Sequence, residues 1–197
     1  MADADEQLLK ALATVLRKRG LRWYLFGARA AIFYGRPRYT ADVDVTVAVD
    51  VADVPALIED LKRAKLAVRK EALGGLKLAA FVGRSRVIPL EHLPTARPLD
   101  LVLAGDAFEA EFLTRAKIRS IGKVRIPVIS PEDLIVTKII AGRAKDLDDV
   151  AGVLRAQRRL NLARIRTLLR RIEEIMGQSD LLPMFEQLAA SAPSKKK

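Results

Sequence analysis

Asp42 and Asp44, one residue apart in YGRPRYTADVDVTV (residues 34–47), interrupt what is otherwise a run of valines. In an extended strand successive side chains alternate faces, so Asp42, Asp44 and Thr46 point one way and Val43, Val45, Val47 and Val49 the other. The valines form the core face. Two carboxylates on the opposite face repel each other, and keeping both ionised in a partly dry cleft is costly unless a cation offsets them. An oxygen-seeking divalent ion meets that need; a sheet face simply wetted by solvent is the competing account. The chain has no cysteine and a single histidine, His92, so a metal here is held by oxygen, which favours Mg2+ or Mn2+.

Two further stretches carry groups suited to phosphate. In YLF-Gly27-Ala28-Arg29 a glycine stands where a strand turns into a helix, leaving N–H groups and the positive helix end to meet phosphate. Turns also use glycine routinely, and Arg29 reads equally as a surface charge. Leu134, Ile135, Lys138 and Ile139 share one helical face, so the Lys138 stem packs inward and its ammonium emerges into a cleft or meets a carboxylate. That suits a grip on triphosphate, with ordinary snorkelling as the plainer reading. Asp146 and Asp149, at the start of the next helix, are either capping and dipole-favoured acids or members of the site.

The elements that must position these groups follow from periodicity. DADEQLLKALATVLRKRG is an amphipathic helix with acids at its start, bases at its end and Gly20 to stop it. RWYLF reads as a short strand, GARAAIFYG as a turn into a short helix, DVDVTVAVD as a strong strand and VPALIEDLKRAK as a helix with Pro55 in its first turn. Between Leu66 and Arg97, LGGLKLAAFVG and RVIPL read as strands of a meander punctuated by glycine and proline. RPLDLVLAG is another strand, AFEAEFLTRAK a short helix, and KIRSI with KVRIPVI a hairpin turning at Gly122. From Ser130, an N-cap serine followed by Pro131, the pattern is helical, with a helix ended by Gly142, another from about Asp146, and a third with Leu162, Ile165, Leu168, Leu169, Ile172 and Met176 on one stripe. The expected organisation is an α/β front over residues 1–129, a helical region over 130–190 and a disordered basic tail over 191–197.

Taken together, these stretches resemble the nucleotidyltransferases of the DNA polymerase beta superfamily, in the AbiEii-like and MenT-like toxin branch. FGARAAIFYGRPRYTADVDVTV is similar to that branch's glycine turn, basic-threonine segment with Thr40, and strand-borne pair of acids. Asp100 in PLDLVLAG is similar to its third carboxylate. Lys138, Ala141, Arg143, Asp146 and Asp149 resemble its lysine-arginine helix and following pair of aspartates. The resemblance implies an α+β nucleotidyltransferase sheet flanked by helices, with Asp42, Asp44 and Asp100 as metal ligands. It also implies a nucleotide site including Gly27, Ala28, Arg29, Thr40, Lys138, Arg143, Asp146 and Asp149. There Asp100 and Lys138 join the acids in catalysis, and a nucleoside triphosphate is the substrate. Two departures bear on the substrate: Gly27-Ala28 stands where many relatives have glycine-serine or glycine-glycine, and the interval from Lys138 to Arg143 is shorter than in the AbiEii pattern.

The acceptor is read from charge. Lysine and arginine exceed acids by 35 to 24, a net +11, which attracts polyanions. Arg155, Arg158, Arg159, Arg164, Arg166, Arg170 and Arg171 surround the apolar stripe of the last periodic helix, a face suited to an RNA backbone, or else a solvated surface. Resemblance to the toxins implies the tRNA 3′ end as acceptor and a cognate antitoxin as partner. A protein hydroxyl, a small molecule, or a non-catalytic binding or antitoxin module remain open alternatives. No apolar run approaches the ~18 residues of a membrane span and the first residues are acidic, so a cytoplasmic location is expected.

Overall fold

The computed structural model describes residues 2–191 apart from Arg36 and Arg38. The expected tail beyond Ser191, and those two arginines of the basic-threonine segment, lie outside the described residues. The chain divides into two compact units: one runs up to Arg29 and from Thr40 to Ile129, the other comprises Ala30–Tyr39 and the chain from Ser130 onward.

The first unit is built on a seven-stranded mixed sheet. Its strands are β1 (Trp23–Phe26), β2 (Val43–Val47), β3 (Leu66–Val68), β4 (Val87–His92), β5 (Arg97–Leu103), β6 (Lys117–Ile121) and β7 (Val124–Val128), in the order β3-β4-β5-β2-β1-β7-β6. The pairs β2–β5 and β1–β7 are parallel and the rest antiparallel. Val43, Val45 and Val47 are fully buried, as alternation requires. The opposite face is not uniformly open: Thr46 is 2% exposed, and only its Asp44 end is half-buried. The strand is shorter than expected, so Asp42 precedes it and is exposed.

Helices α1 (Ala2–Lys18), α3 (Val54–Arg63), α4 (Leu78–Ser85) and α5 (Ala107–Arg115) belong to this unit. Leu8, Leu9, Leu12 and Leu16 bury the expected stripe of α1. The stretch LGGLKLAAFVG, expected as a strand, instead forms a 3-10 turn (Lys70–Leu73), a left-handed Gly74 and Gly75, and α4. Short apolar runs fit either period, and with only Val82 buried this one serves as a shallow helix. The β6–β7 hairpin turns at Gly122 as its spacing required, and Glu6 of α1 accepts the Lys123 N–H at 2.9 Å.

Helix α2 (Gly27–Phe33) crosses the division between the units. The second unit otherwise consists of α6 (Pro131–Ala141), α7 (Ala144–Ala156), α8 (Leu162–Met176) and α9 (Leu181–Ser191). The Ser130 hydroxyl caps α6, accepting from the Asp133 N–H and donating to the Asp133 carboxylate at 2.7 Å. Gly142 closes α6 in the left-handed region. Ile165, Leu168, Leu169 and Ile172 of α8 are buried, whereas Met176 at its end is exposed. Helix α9, which the sequence reading did not separate, is anchored by Leu181 and Phe185 one turn apart.

Candidate active site

Residues of β2 and β5 run parallel and in register, and Asp44 is the direct partner of Asp100. On neighbouring strands a shared register position puts two side chains on one face about 5 Å apart. The sheet order places β5 immediately beside β2 although 49 residues separate the two strands, 47 being the last of one and 97 the first of the other. Asp44 is also the partner of Phe26, the last residue of β1.

Gly27 follows Phe26, and its backbone sits at φ +67°, a region that side chains rarely adopt. A Cβ built on it would fall 2.0 Å from Asp44 Oδ2 and 2.8 Å from its Cγ. The turn and the acid therefore share one space, and only glycine leaves the carboxylate where it is. The adjoining Ala28 is buried.

Asp100 has a partner that sequence reasoning missed. Arg69, just past β3, donates from Nη2 to Asp100 Oδ1 at 2.6 Å, from Nε to the Leu90 carbonyl at 3.1 Å, and from its backbone N–H to the Pro89 carbonyl at 2.9 Å. Pro89 pairs directly with Asp100, so Arg69 reaches across β4 to the acid. No local pattern marks it, because the pairing depends on three strands meeting in the order β3-β4-β5.

Arg29, expected near phosphate, is turned inward. Its guanidinium pairs with Asp5 of α1 and donates to the Thr40 carbonyl at 2.9 Å. Burial raises the Asp5 carboxyl above its ordinary range, against the opposing pull of Arg29 and Arg97. The placement makes Arg29 the tie between α1 and the segment that leads from Thr40 to Asp42; Thr40 contributes its carbonyl to that tie.

In the second unit the remaining site residues form a buried ion cluster. Lys138, 6% exposed, reaches Asp146 at 2.6 Å and Asp149 at 2.9 Å, and Arg143 also pairs with Asp146. Asp146 and Asp149 are fully buried and neither caps α7, whose N-cap residue is Arg143. Burial alone raises the Asp146 carboxyl, but the hydrogen bonds from Arg143 and Lys138 and their charges outweigh it, and the group sits below its ordinary range. Of the two fates the sequence allowed Lys138, a cleft or a carboxylate, these contacts are the second.

The arginines of the last periodic region differ in exposure. Arg164 donates from Nη2 to the fully buried Asp133 at 2.7 Å, and Arg166 makes a two-pronged pair with Glu186 at 2.6 and 3.0 Å. Arg155, Arg158, Arg159, Arg170 and Arg171 are exposed.

Among the described residues no three acidic or histidine side chains converge closely enough to hold a metal ion. His92 is at the far end of β4 from Pro89, hydrogen-bonded to Thr95 at 2.8 Å. The donor chemistry nevertheless fits a hard divalent cation, since adjacent Asp44 and Asp100 present oxygen only. Two carboxylates at that spacing repel by roughly 3 kcal/mol at an effective dielectric of about 20, which is sufficient reason for a positive partner beside them. No helix among the described residues is long and apolar enough to cross a membrane.

A family model described as a nucleotidyl transferase of unknown function (DUF2204) matches residues 102–189. That stretch contains Lys138, Asp146 and Asp149 and begins just after Asp100, so Asp42 and the strand-borne Asp44 and Asp100 stand outside it. No curated protein matches the chain in sequence. Solved structures match it over most of its length. The antibiotic-resistance factor ANT(2'')-Ia is 13% identical with a TM-score of 0.58, over 90% of this chain and 95% of its own. An antigenic nucleotidyltransferase-like protein from Paracoccidioides brasiliensis is 17% identical with a TM-score of 0.51, over 92% and 93%. The lincosamide antibiotic adenylyltransferase LnuA, bound to lincomycin, is 15% identical with a TM-score of 0.50, over 77% and 96%. The fold is that of the nucleotidyltransferases, a mixed sheet with flanking helices and a helical region after it.

Proposed function

We propose that the chain is a nucleotidyltransferase that moves the nucleoside monophosphate of a triphosphate to a hydroxyl acceptor, with Asp44 and Asp100 at its centre. The observation that carries this reading is the register of those two acids on adjacent parallel strands, against a glycine turn with no room for a side chain. Asp44 and Asp100, with Asp42 recruited from just before β2, would hold Mg2+ or Mn2+. Such an ion, when bound, supplies neutralisation of phosphate charge and a more acidic hydroxyl.

The protein's own groups then have separable tasks. The Asp100 carboxylate accepts the proton of the acceptor hydroxyl. That oxygen forms its bond to the α-phosphorus while the bond from phosphorus to the bridging oxygen breaks, and pyrophosphate leaves with the electron pair. The Gly27 turn offers backbone N–H groups to the triphosphate. Catalysis is then chiefly orientation and charge balance, as phosphoryl transfer requires. Lys138 and Arg29 are left out of this machinery because buried carboxylates already engage them. Asp146 and Asp149 serve by holding Lys138 in place, and Arg143 by holding Asp146.

For the acceptor, the motif resemblance to the toxin branch supports an RNA, the tRNA 3′ end, with the exposed Arg155, Arg158, Arg159, Arg170 and Arg171 as the surface for its backbone. A small hydroxyl compound is the second reading, supported by the likeness in fold to ANT(2'')-Ia over 90% of this chain and to LnuA over 77%. The test incubates the protein and Mg2+ with each α-labelled nucleoside triphosphate and one of three pools: tRNA, cell protein, or aminoglycosides and lincosamides. Label entering one pool, and lost with Asp44→Asn, is the expected result. Label entering none, or entering equally with the variant, overturns the transferase reading.

A further inference from the structure

We propose that Arg69 is a resident cation of Asp100, a positioning residue that competes with a divalent ion for that acid and thereby lowers metal affinity. The inference rests on the reading of Asp44 and Asp100 as the metal-holding acids.

Three contacts fix Arg69, and they differ in kind. Its backbone N–H and its Nε are tied to the carbonyls of Pro89 and Leu90 on β4, while Nη2 alone reaches Asp100 Oδ1 at 2.6 Å. The guanidinium can therefore release the acid while Nε keeps its place on the strand. Arg69 and Asp100 have side chains 25% and 39% exposed, so the pair lies at a wetted rim and parts at modest cost. A buried pair such as Lys138 with Asp146 could not do so.

The consequence for the acids is direct. A guanidinium on Asp100 lowers the repulsion that Asp44 feels from its register neighbour, so the two carboxylates can stand together in the resting protein. The same guanidinium occupies an oxygen that a metal needs, so the cation binds only the fraction of molecules in which Arg69 has let go. A half-exposed ion pair holds its partners together by a factor of up to about five, which bounds the effect.

The test titrates the full chain with Mn2+, following free Mn2+ by electron paramagnetic resonance. Arg69→Gln should bind roughly two- to fivefold more tightly than the parent. The gain should vanish when Asp100→Asn is also present. A purely structural clamp would change the melting temperature and leave Mn2+ affinity where it was, so equal or weaker binding by Arg69→Gln overturns the proposal. A second measurement needs no variant: the Arg69 Nη resonances of the parent should shift as Mg2+ is added, and resonances that stay still while Mg2+ binds overturn it too. Binding that is lost with Asp44→Asn yet indifferent to Arg69 removes this inference alone. Absence of Mn2+ binding in both parent and Arg69→Gln removes the metal reading along with it.

Discussion

Gly27 and Asp44 compete for one volume: a methyl group on the glycine would fall 2.0 Å from the carboxylate oxygen Oδ2. The turn between β1 and α2 is thus shaped around the acid as much as around the backbone. Gly27→Ala should destabilise the protein by about 1–3 kcal/mol, because the left-handed backbone is strained for alanine and Asp44 must move. Thermal denaturation measures the first effect. Loss of Mn2+ binding in the folded variant measures the second; unaltered binding would mean that Asp44 has room to spare.

Lys138 is held by two carboxylates that have no exposure of their own. Removing one member of a buried ion cluster leaves the others uncompensated, so Lys138→Met should cost about 3–5 kcal/mol in urea unfolding. A lysine that only gripped substrate would show almost no change in stability and a large loss of activity.

Acid should weaken the same cluster. The Asp146 carboxyl sits below its ordinary range in the folded protein, so between that lowered value and the ordinary one near pH 4 the unfolded chain binds more protons. Stability contributed by Asp146 is therefore complete above about pH 4 and falls as pH drops through the folded value. Asp146→Asn should flatten the acid limb of a stability–pH profile; a limb of unchanged slope would assign the loss to other carboxylates.

The arginines of α8 and of the segment leading into it should behave unequally. Arg164→Glu places a like charge on fully buried Asp133 and should destabilise by more than about 3 kcal/mol, whereas Arg158→Glu and Arg159→Glu, both on the surface, should stay within about 0.5 kcal/mol of the parent. If RNA is the acceptor, the surface pair should reduce its retention with stability intact. Retention that is unaffected would favour the small-molecule reading.

Much of this framework is legible in the residues because it follows from short-range pattern. The valines around Asp44 announce β2, Ser130 and Asp133 announce the start of α6, and the leucine and isoleucine stripe announces α8. The neighbouring carboxylates of Lys138 were within reach too, since they follow across one glycine turn. What could not be read depends on distant chain meeting in space. Arg69 finds Asp100 only because β3, β4 and β5 lie side by side, and Arg29 finds Asp5 from another helix. The shallow α4 escaped because a run of alanine, phenylalanine and valine satisfies strand and helix periods alike.

The central claim is that Asp44 and Asp100 act as one site, and single-turnover transfer from an α-labelled nucleoside triphosphate tests it most directly. Asp44→Asn, Asp100→Asn and the double variant should each lower the rate by a similar factor of about 10³ or more, without the penalties adding, because groups that act as a unit fail together. Near-parental transfer by Asp100→Asn, or losses that multiply in the double variant, would contradict it.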